Sequence, residues 1–207
     1  MSASNPGLFS MRTRRILFVL AAFVVGAVAV VAGALAMLPT PGGQKVTTQI
    51  AIGGPFRLLD QDKNEVTDET FIGEPKLVFF GFTHCPDICP TALFDMSQAF
   101  EALGTDARKV SGLFITVDPE RDTPEVMKSY LGSFHPSIQG LTGSPEQVAA
   151  VIKAYRAYAK KVPTTGSDYT MDHTAIVYLM GKDGEFIAPF DLKRPPDVVA
   201  ADLRRYL

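Results

Sequence analysis

The stretch "KLVFFGFTHCPDICPTAL", residues 76–93, contains the two features that decide how this chain is read. Its first half is a continuous apolar run rich in aromatics, the pattern of a strand buried on both faces. Its second half carries the only two cysteines of the chain, Cys85 and Cys89, each followed by proline. A residue before proline avoids the α region, so both cysteines are expected in extended or turn backbone. Pro90 suits a first helical position. That reading makes Cys89 the N-cap of a helix over 90–103 and leaves Cys85 at the end of the strand. Free backbone N–H groups and the helix dipole favour negative charge there, hence a thiolate, the form that attacks disulfides and binds metals.

Working outward, "FRLLDQDKNEV" reads as two short strands around a polar turn. Leu93, Met96, Phe100 and Leu103 recur at helical spacing, giving the helix after the cysteines one core-facing stripe. "GLFITVD" at 112–118 is a second buried strand. Thr123 before Pro124 caps a helix, and Ser144 with Gln147 has capping-box spacing at the head of "SPEQVAAVIKAYRAYAKK". "TAIVYLMGKDGEFIAPF" gives two strands joined at Asp183-Gly184, and a last helix follows Pro195-Pro196. The order is hairpin, β, α, β, α, α, β, β, α, which predicts an α/β sandwich with a central mixed sheet.

The chain has 207 residues. From Ile16 to Leu38 run 23 residues without a charge, a Pro, an Asn or a Gln. As a helix they rise about 34 Å, enough for a hydrocarbon core of about 30 Å. Arg12, Arg14 and Arg15 precede the run, so the remainder is expected outside the cytoplasm. Ala34-Leu35-Ala36 also fits a signal-peptide cleavage site, but the run exceeds the usual h-region, which favours a retained anchor. The expected layout is a cytoplasmic terminus (1–15), an anchor (16–38), a Pro/Gly linker (39–47) and an exported domain (48–207). Beyond the three arginines, 17 Lys and Arg face 22 Asp and Glu, a net −5. A clustered basic surface for nucleic acid is not in the pattern.

Two neighbouring cysteines in an oxidising compartment admit three uses. A structural disulfide closing so short a loop gains little chain entropy. A redox pair at a strand-to-helix junction is the second, although the usual spacing is C-x-x-C. A metal clamp is the third, and it needs another ligand. His84 adjoins Cys85, but neighbouring side chains diverge. His135, in "SFHPS", suits a structural role. His173 ends the long polar stretch "TTGSDYTMDHT", which reads as a functional loop before a buried strand. It is the best third ligand. Two sulfurs and one imidazole suit copper, Cu(I) or Cu(II), whereas structural zinc prefers four protein ligands.

"GFTHCPDICPTAL", "LFITVDPERDTPE", "FHPSIQGLTG" and "DYTMDHTAIVYLM", in that order, closely resemble the SCO/SenC family over roughly residues 48–207. The resemblance implies a thioredoxin-like fold and copper bound by Cys85, Cys89 and His173. It implies a metallochaperone that assists assembly of the dinuclear copper centre in cytochrome c oxidase subunit II. The alternative is a thiol–disulfide reductase that keeps the target's cysteines reduced, with Cys85 and Cys89 as the redox pair. Subunit II and another periplasmic copper chaperone are the implied partners. Asp118, in "DPERD" with Arg121 and Asp122, is implied as a site-shaping or docking residue. Asp172 is a candidate to orient the His173 imidazole, and Asp87 and Ile88 shape the loop between the cysteines. Ordinary thioredoxins carry a proline just before the strand facing the cysteines. Met171-Asp172-His173-Thr174 has none, which favours a metal carrier over a general disulfide oxidoreductase. Without an Arg- and Ser-rich presequence, the expected location is a bacterial inner membrane, single-pass, with the domain in the periplasm.

Overall fold

A computed structural model describes residues 11–37, 52–165 and 168–207. The expected linker and the ends of the first two expected segments lie outside them. The chain divides into two units, Met1–Thr48 and Gln49–Leu207. In the first, Met11–Met37 is one α-helix, α1. Side chains are described for only part of it, and among the described residues no helix is long and apolar enough to cross a membrane.

The second unit holds a seven-stranded mixed sheet in the order β2-β1-β5-β4-β3-β8-β9 and a separate hairpin, β6-β7. Strands β1 (Arg57–Asp60) and β2 (Glu65–Thr67) form the opening hairpin. The central strands are β3 (Lys76–Gly81), β4 (Ser111–Thr116) and β5 (Ile138–Thr142), paired in parallel. Strands β8 (Val177–Met180) and β9 (Phe186–Pro189) add antiparallel strands at the other edge. Every residue of β3 and β4 is buried, as a continuous apolar run requires.

Because β3, β4 and β5 step across the sheet in one direction, right-handed crossovers place both intervening helices on one face. These are α2 (Ile88–Leu103) and α3 (Pro124–Leu131). Two glycines show how closely they sit. A Cβ at Gly112 would come within 2.9 Å of Met96 and Phe100 of α2, and one at Gly140 within 2.6 Å of Leu131 of α3. Helix α5 (Pro196–Leu203) packs beside α2. Helix α4 (Pro145–Ala154) serves the opposite face, where Tyr155 meets the edges of Phe80 and Tyr178. This is the expected thioredoxin-like arrangement.

Three details differ from the sequence reading. Helix α2 begins at Ile88, with Asp87 at the N-cap and Cys89 inside the first turn. Proline is tolerated at Pro90 because first-turn N–H groups lack intrahelical partners. Strand β5 was not expected, since Gly140 and Gly143 weaken its signal. Helix α4 ends at Ala154, with Tyr155 as its C-cap, rather than running to Lys161. Arg156 takes a left-handed φ of 52°, and its N–H donates to Lys153 O while that of Ala157 donates to Ile152 O. That pair of bonds is a Schellman stop. The chain after it forms β6 (Ala159–Pro163), paired antiparallel with β7 (Tyr169–His173). The "loop" ending at His173 is therefore a hairpin.

The end of the sheet next to the cysteines is tied by one buried carboxylate. Asp122 has no exposed surface. Its oxygens accept from the hydroxyl of Thr83 (2.6 Å), the N–H of Thr83 (3.1 Å) and the hydroxyl of Thr116 (2.6 Å). Its backbone carbonyl accepts from Thr142 (2.7 Å). The exits of β3, β4 and β5 thus converge on one residue. Burial pushes the Asp122 carboxyl up, against the hydrogen bonds from Thr116 and Thr83 that pull it down. Asp122→Ala should lower unfolding free energy by about 3 kcal/mol, because several buried donors lose their acceptor together. Urea unfolding checks this, and a loss below about 1 kcal/mol would remove Asp122 from that role.

Candidate metal centre

Cys85 stands on the turn leaving β3, where its N–H donates to Phe82 O at 3.2 Å. Cys89 lies one helical turn further on, with its N–H donating to Cys85 Sγ at 3.4 Å. Cys89 is fully buried and Cys85 half-buried, and both are free thiols. Gly81 makes the burial of Cys89 possible, since a Cβ there would stand 2.7 Å from Cys89 Sγ and 2.6 Å from the Phe114 ring.

His173, the last residue of β7, brings its Nε2 to 3.6 Å from Cys89 Sγ. One donor atom from each of Cys85, Cys89 and His173 lies within 4.8 Å of the others. The far side of the imidazole is fixed: Nδ1 lies 3.2 Å from Thr174 O. An N–H at Nδ1 donating to that carbonyl leaves the Nε2 lone pair facing the sulfurs, the usual way a ligating histidine is oriented. The edges of Phe79 and Phe82 wall the ring at 6.3 and 5.7 Å.

Thr174 does the orienting in place of Asp172. Successive side chains alternate faces along a strand, and Asp172 is exposed. Sequence reasoning missed Thr174 because a backbone carbonyl has no residue signature. The hairpin end is pinned by the same residue, whose N–H donates to Tyr158 O and whose hydroxyl accepts from Tyr158 N–H.

Asp118 is 2% exposed, so it shapes the site from within and offers no docking surface. It accepts from the Tyr169 hydroxyl at 2.9 Å and from Arg121 Nε. Arg121 also donates to Tyr169 O and lies 3.8 Å over the Tyr169 ring. The turn after β4 therefore grips the first residue of β7, at the opposite end of that strand from His173. His84 is exposed, with Nδ1 3.1 Å from Thr83 Oγ1, and stands outside the three-residue cluster. His135 is structural: its Nδ1 accepts from Ser137 N–H and its ring meets Phe100. Asp87 and Ile88 are exposed at the lip.

The expected thiolate at the helix start does not hold for Cys89. Burial pushes its thiol up, only partly offset by a hydrogen bond from the Phe82 backbone. Desolvation outweighs a helix terminus when the sulfur has no solvent contact. Nearby, the Tyr130 hydroxyl is buried without a partner among the described residues. Burial pushes that phenol up as well, with the two cysteines adding to the effect.

Two sulfurs and one imidazole form a soft set that fits copper. Among the described residues no fourth Cys, His, Asp or Glu joins it, so the closed tetrahedral set of structural zinc is absent there.

The SCO1/SenC family model matches residues 44–207. The chain belongs to the SCO1/SenC family. It is 40% identical over 159 residues to the mitochondrial SCO1 homolog of Homo sapiens, covering 75% of this chain and 53% of that protein. The chain spans about half the length of the curated mitochondrial SCO1 relatives it matches, such as those of Homo sapiens and Arabidopsis thaliana. Among solved structures, it is similar to Bradyrhizobium japonicum ScoI with copper bound, at 60% identity and TM-score 0.75, covering 76% of this chain and all of that one. It is also similar to BsSco, a member of the Sco family of cytochrome c oxidase assembly proteins in which a disulfide switch was identified. That match has 26% identity and TM-score 0.58, covering 75% of this chain and 93% of that one.

The close approach at Gly81 is testable. Gly81→Ala should cost about 1–3 kcal/mol by overpacking and move Cys89 Sγ away from His173. Denaturant unfolding and a structure of the variant check the two effects. An unchanged position of the sulfur would show that the glycine is not needed there.

Proposed function

We propose that this chain is a copper carrier of the SCO1/SenC family that holds one copper ion through Cys85, Cys89 and His173. The observation that carries the reading is the convergence of those three donors, in a chain 60% identical to a copper-bound ScoI. The two thiolates clamp Cu(I), and the imidazole supports Cu(II). Three ligands leave a place for a donor atom of the receiving protein, so the ion can be passed on by ligand exchange.

The proposed recipient is the dinuclear copper site of cytochrome c oxidase subunit II, with another periplasmic copper chaperone upstream. The apolar run 16–38 serves as an uncleaved anchor in a bacterial inner membrane, with the three arginines before it on the cytoplasmic side. The domain then faces the periplasm.

The second reading, a thiol–disulfide reductase, rests on the asymmetry of the two cysteines. Cys85 is the accessible sulfur and Cys89 the buried one, as an attacking and a resolving thiol would be. That activity needs both cysteines but not His173, which separates the two readings.

Copper titration of the reduced full chain in non-ionic detergent tests the proposal. One copper per chain is expected, and Cys→Ser at either position should abolish tight binding. His173→Ala should weaken Cu(II) by about two orders of magnitude and Cu(I) much less. Equal losses for both ions would sink the division of roles. Full reduction of a disulfide substrate by a chain that takes no copper would establish the reductase instead.

The buried thiol gives a pH dependence with a definite sign. Loading the ion must expel the Cys89 proton, which burial holds tightly below its raised pKa. Affinity should therefore rise with pH, by about tenfold or more per unit between about pH 6 and 8. Competition titrations across that range measure the slope, and a flat profile would exclude Cys89 as a thiolate ligand.

A further inference from the structure

Beside the Cys85–Cys89–His173 cluster runs an open groove of about 510 Å³, bounded by α2, the residues after His173 and the segment following β9. Two of its walls are apolar side chains left in water: Ile88 is 51% exposed and Ile176 43% exposed. Ile88 sits between the two cysteines in sequence, Ile176 follows His173 by three residues, and Phe79, which lines the groove, packs against the His173 ring. The groove's polar lining is unbalanced. Asp87, Asp95 and Asp191 contribute three carboxylates against the single ammonium of Lys193. Burial pushes the Asp95 carboxyl up; Lys193 opposes this and Asp191 adds to it.

An apolar channel with an acidic lining is complementary to an extended segment that carries apolar side chains and basic flanks. We infer that this groove docks a cysteine-bearing, Lys- or Arg-flanked segment of the protein that receives the ion. The inference rests on the copper-carrier reading, and it adds to it the place and the chemistry of recognition. Apolar contacts with Ile88 and Ile176 seat the segment alongside the cluster. The carboxylates then select its charge and speed its arrival.

Two fluorescent 12-residue peptides with the same apolar core and one cysteine test this, one flanked by lysines and the other by glutamates. Fluorescence anisotropy on the reduced full chain in non-ionic detergent should show the lysine peptide binding about tenfold or more tightly at low salt. Added salt should shrink the difference. The double reversal Asp95→Lys/Asp191→Lys should exchange the preference, and Ile176→Ser should weaken both peptides while keeping it. Equal binding of the two peptides, or a preference untouched by the reversal with Ile176→Ser also silent, overturns the inference. So does peptide binding that is lost as protein concentration rises, which would assign the groove to a second copy of the chain. Copper uptake on the same samples separates the two readings. A chain that takes no copper yet prefers the lysine peptide removes the carrier function and keeps the groove's specificity. One that takes copper without preference does the reverse.

Discussion

The carboxylate of Asp122 sits where three parallel strands end, and the geometry of the site depends on it. A charge with no solvent contact is costly unless every lone pair finds a donor. Thr83, just past β3, and Thr116 of β4 donate to the carboxylate, while Thr142 of β5 donates to the Asp122 backbone carbonyl. Satisfying Asp122 therefore fixes the height at which each strand stops. Thr83 is two residues before Cys85, and Asp122 itself is followed at once by Thr123, the N-cap of α3. The polar knot determines where the cysteine turn leaves the sheet, and Gly81 determines how deep Cys89 can sink.

The third donor comes from a separate hairpin and needs its own support. The β6–β7 hairpin lies outside the main sheet, so sheet hydrogen bonding does not place His173. Both ends of β7 are held separately. Tyr169, at its start, is gripped by Asp118 and Arg121. Thr174, just past its end, is bonded to Tyr158. Lys161 of β6 adds a contact over the Tyr169 ring and an ion pair to Glu120. The "DPERD" segment thus acts at a distance: it positions the strand that carries the imidazole rather than touching the cluster.

Much of this was legible in the sequence because it is written in local chemistry. Buried strands such as 76–81 announce themselves by composition, the caps at Thr123 and Ser144 by residue type, and the cysteine pair by its prolines. What was not legible depends on tertiary contact. β5 contains Gly140, which reads as a weak strand residue, yet a side chain there would strike Leu131. The end of α4 is set by the left-handed Arg156, where no glycine signals a stop. The stretch up to His173 looks like loop and 159–161 like the end of a helix, because their side chains carry no strand pattern; pairing makes Ala159–Pro163 and Tyr169–His173 strands. His173 could be singled out from its place before a buried strand, but the carbonyl that orients it could not. The thiolate expected at Cys89 failed for a related reason: a helix terminus is visible in sequence, while complete burial of the sulfur is not.

These features combine into a cluster with unequal sides. Phe79, Phe82 and Gly81 enclose Cys89 and the inner flank of His173, so one side of the donor set is dry and rigid. Cys85, Asp87 and Ile88 lie on the solvent side, next to the groove. A buried thiol that holds its proton disfavours loading at low pH, and the ion must supply the free energy to expel that proton. The half-buried sulfur of Cys85 works in the opposite sense in the proposed carrier role, because it is the donor an incoming ligand can reach first. In that proposed role, tight retention and ready release thus fall to different sulfurs of one pair.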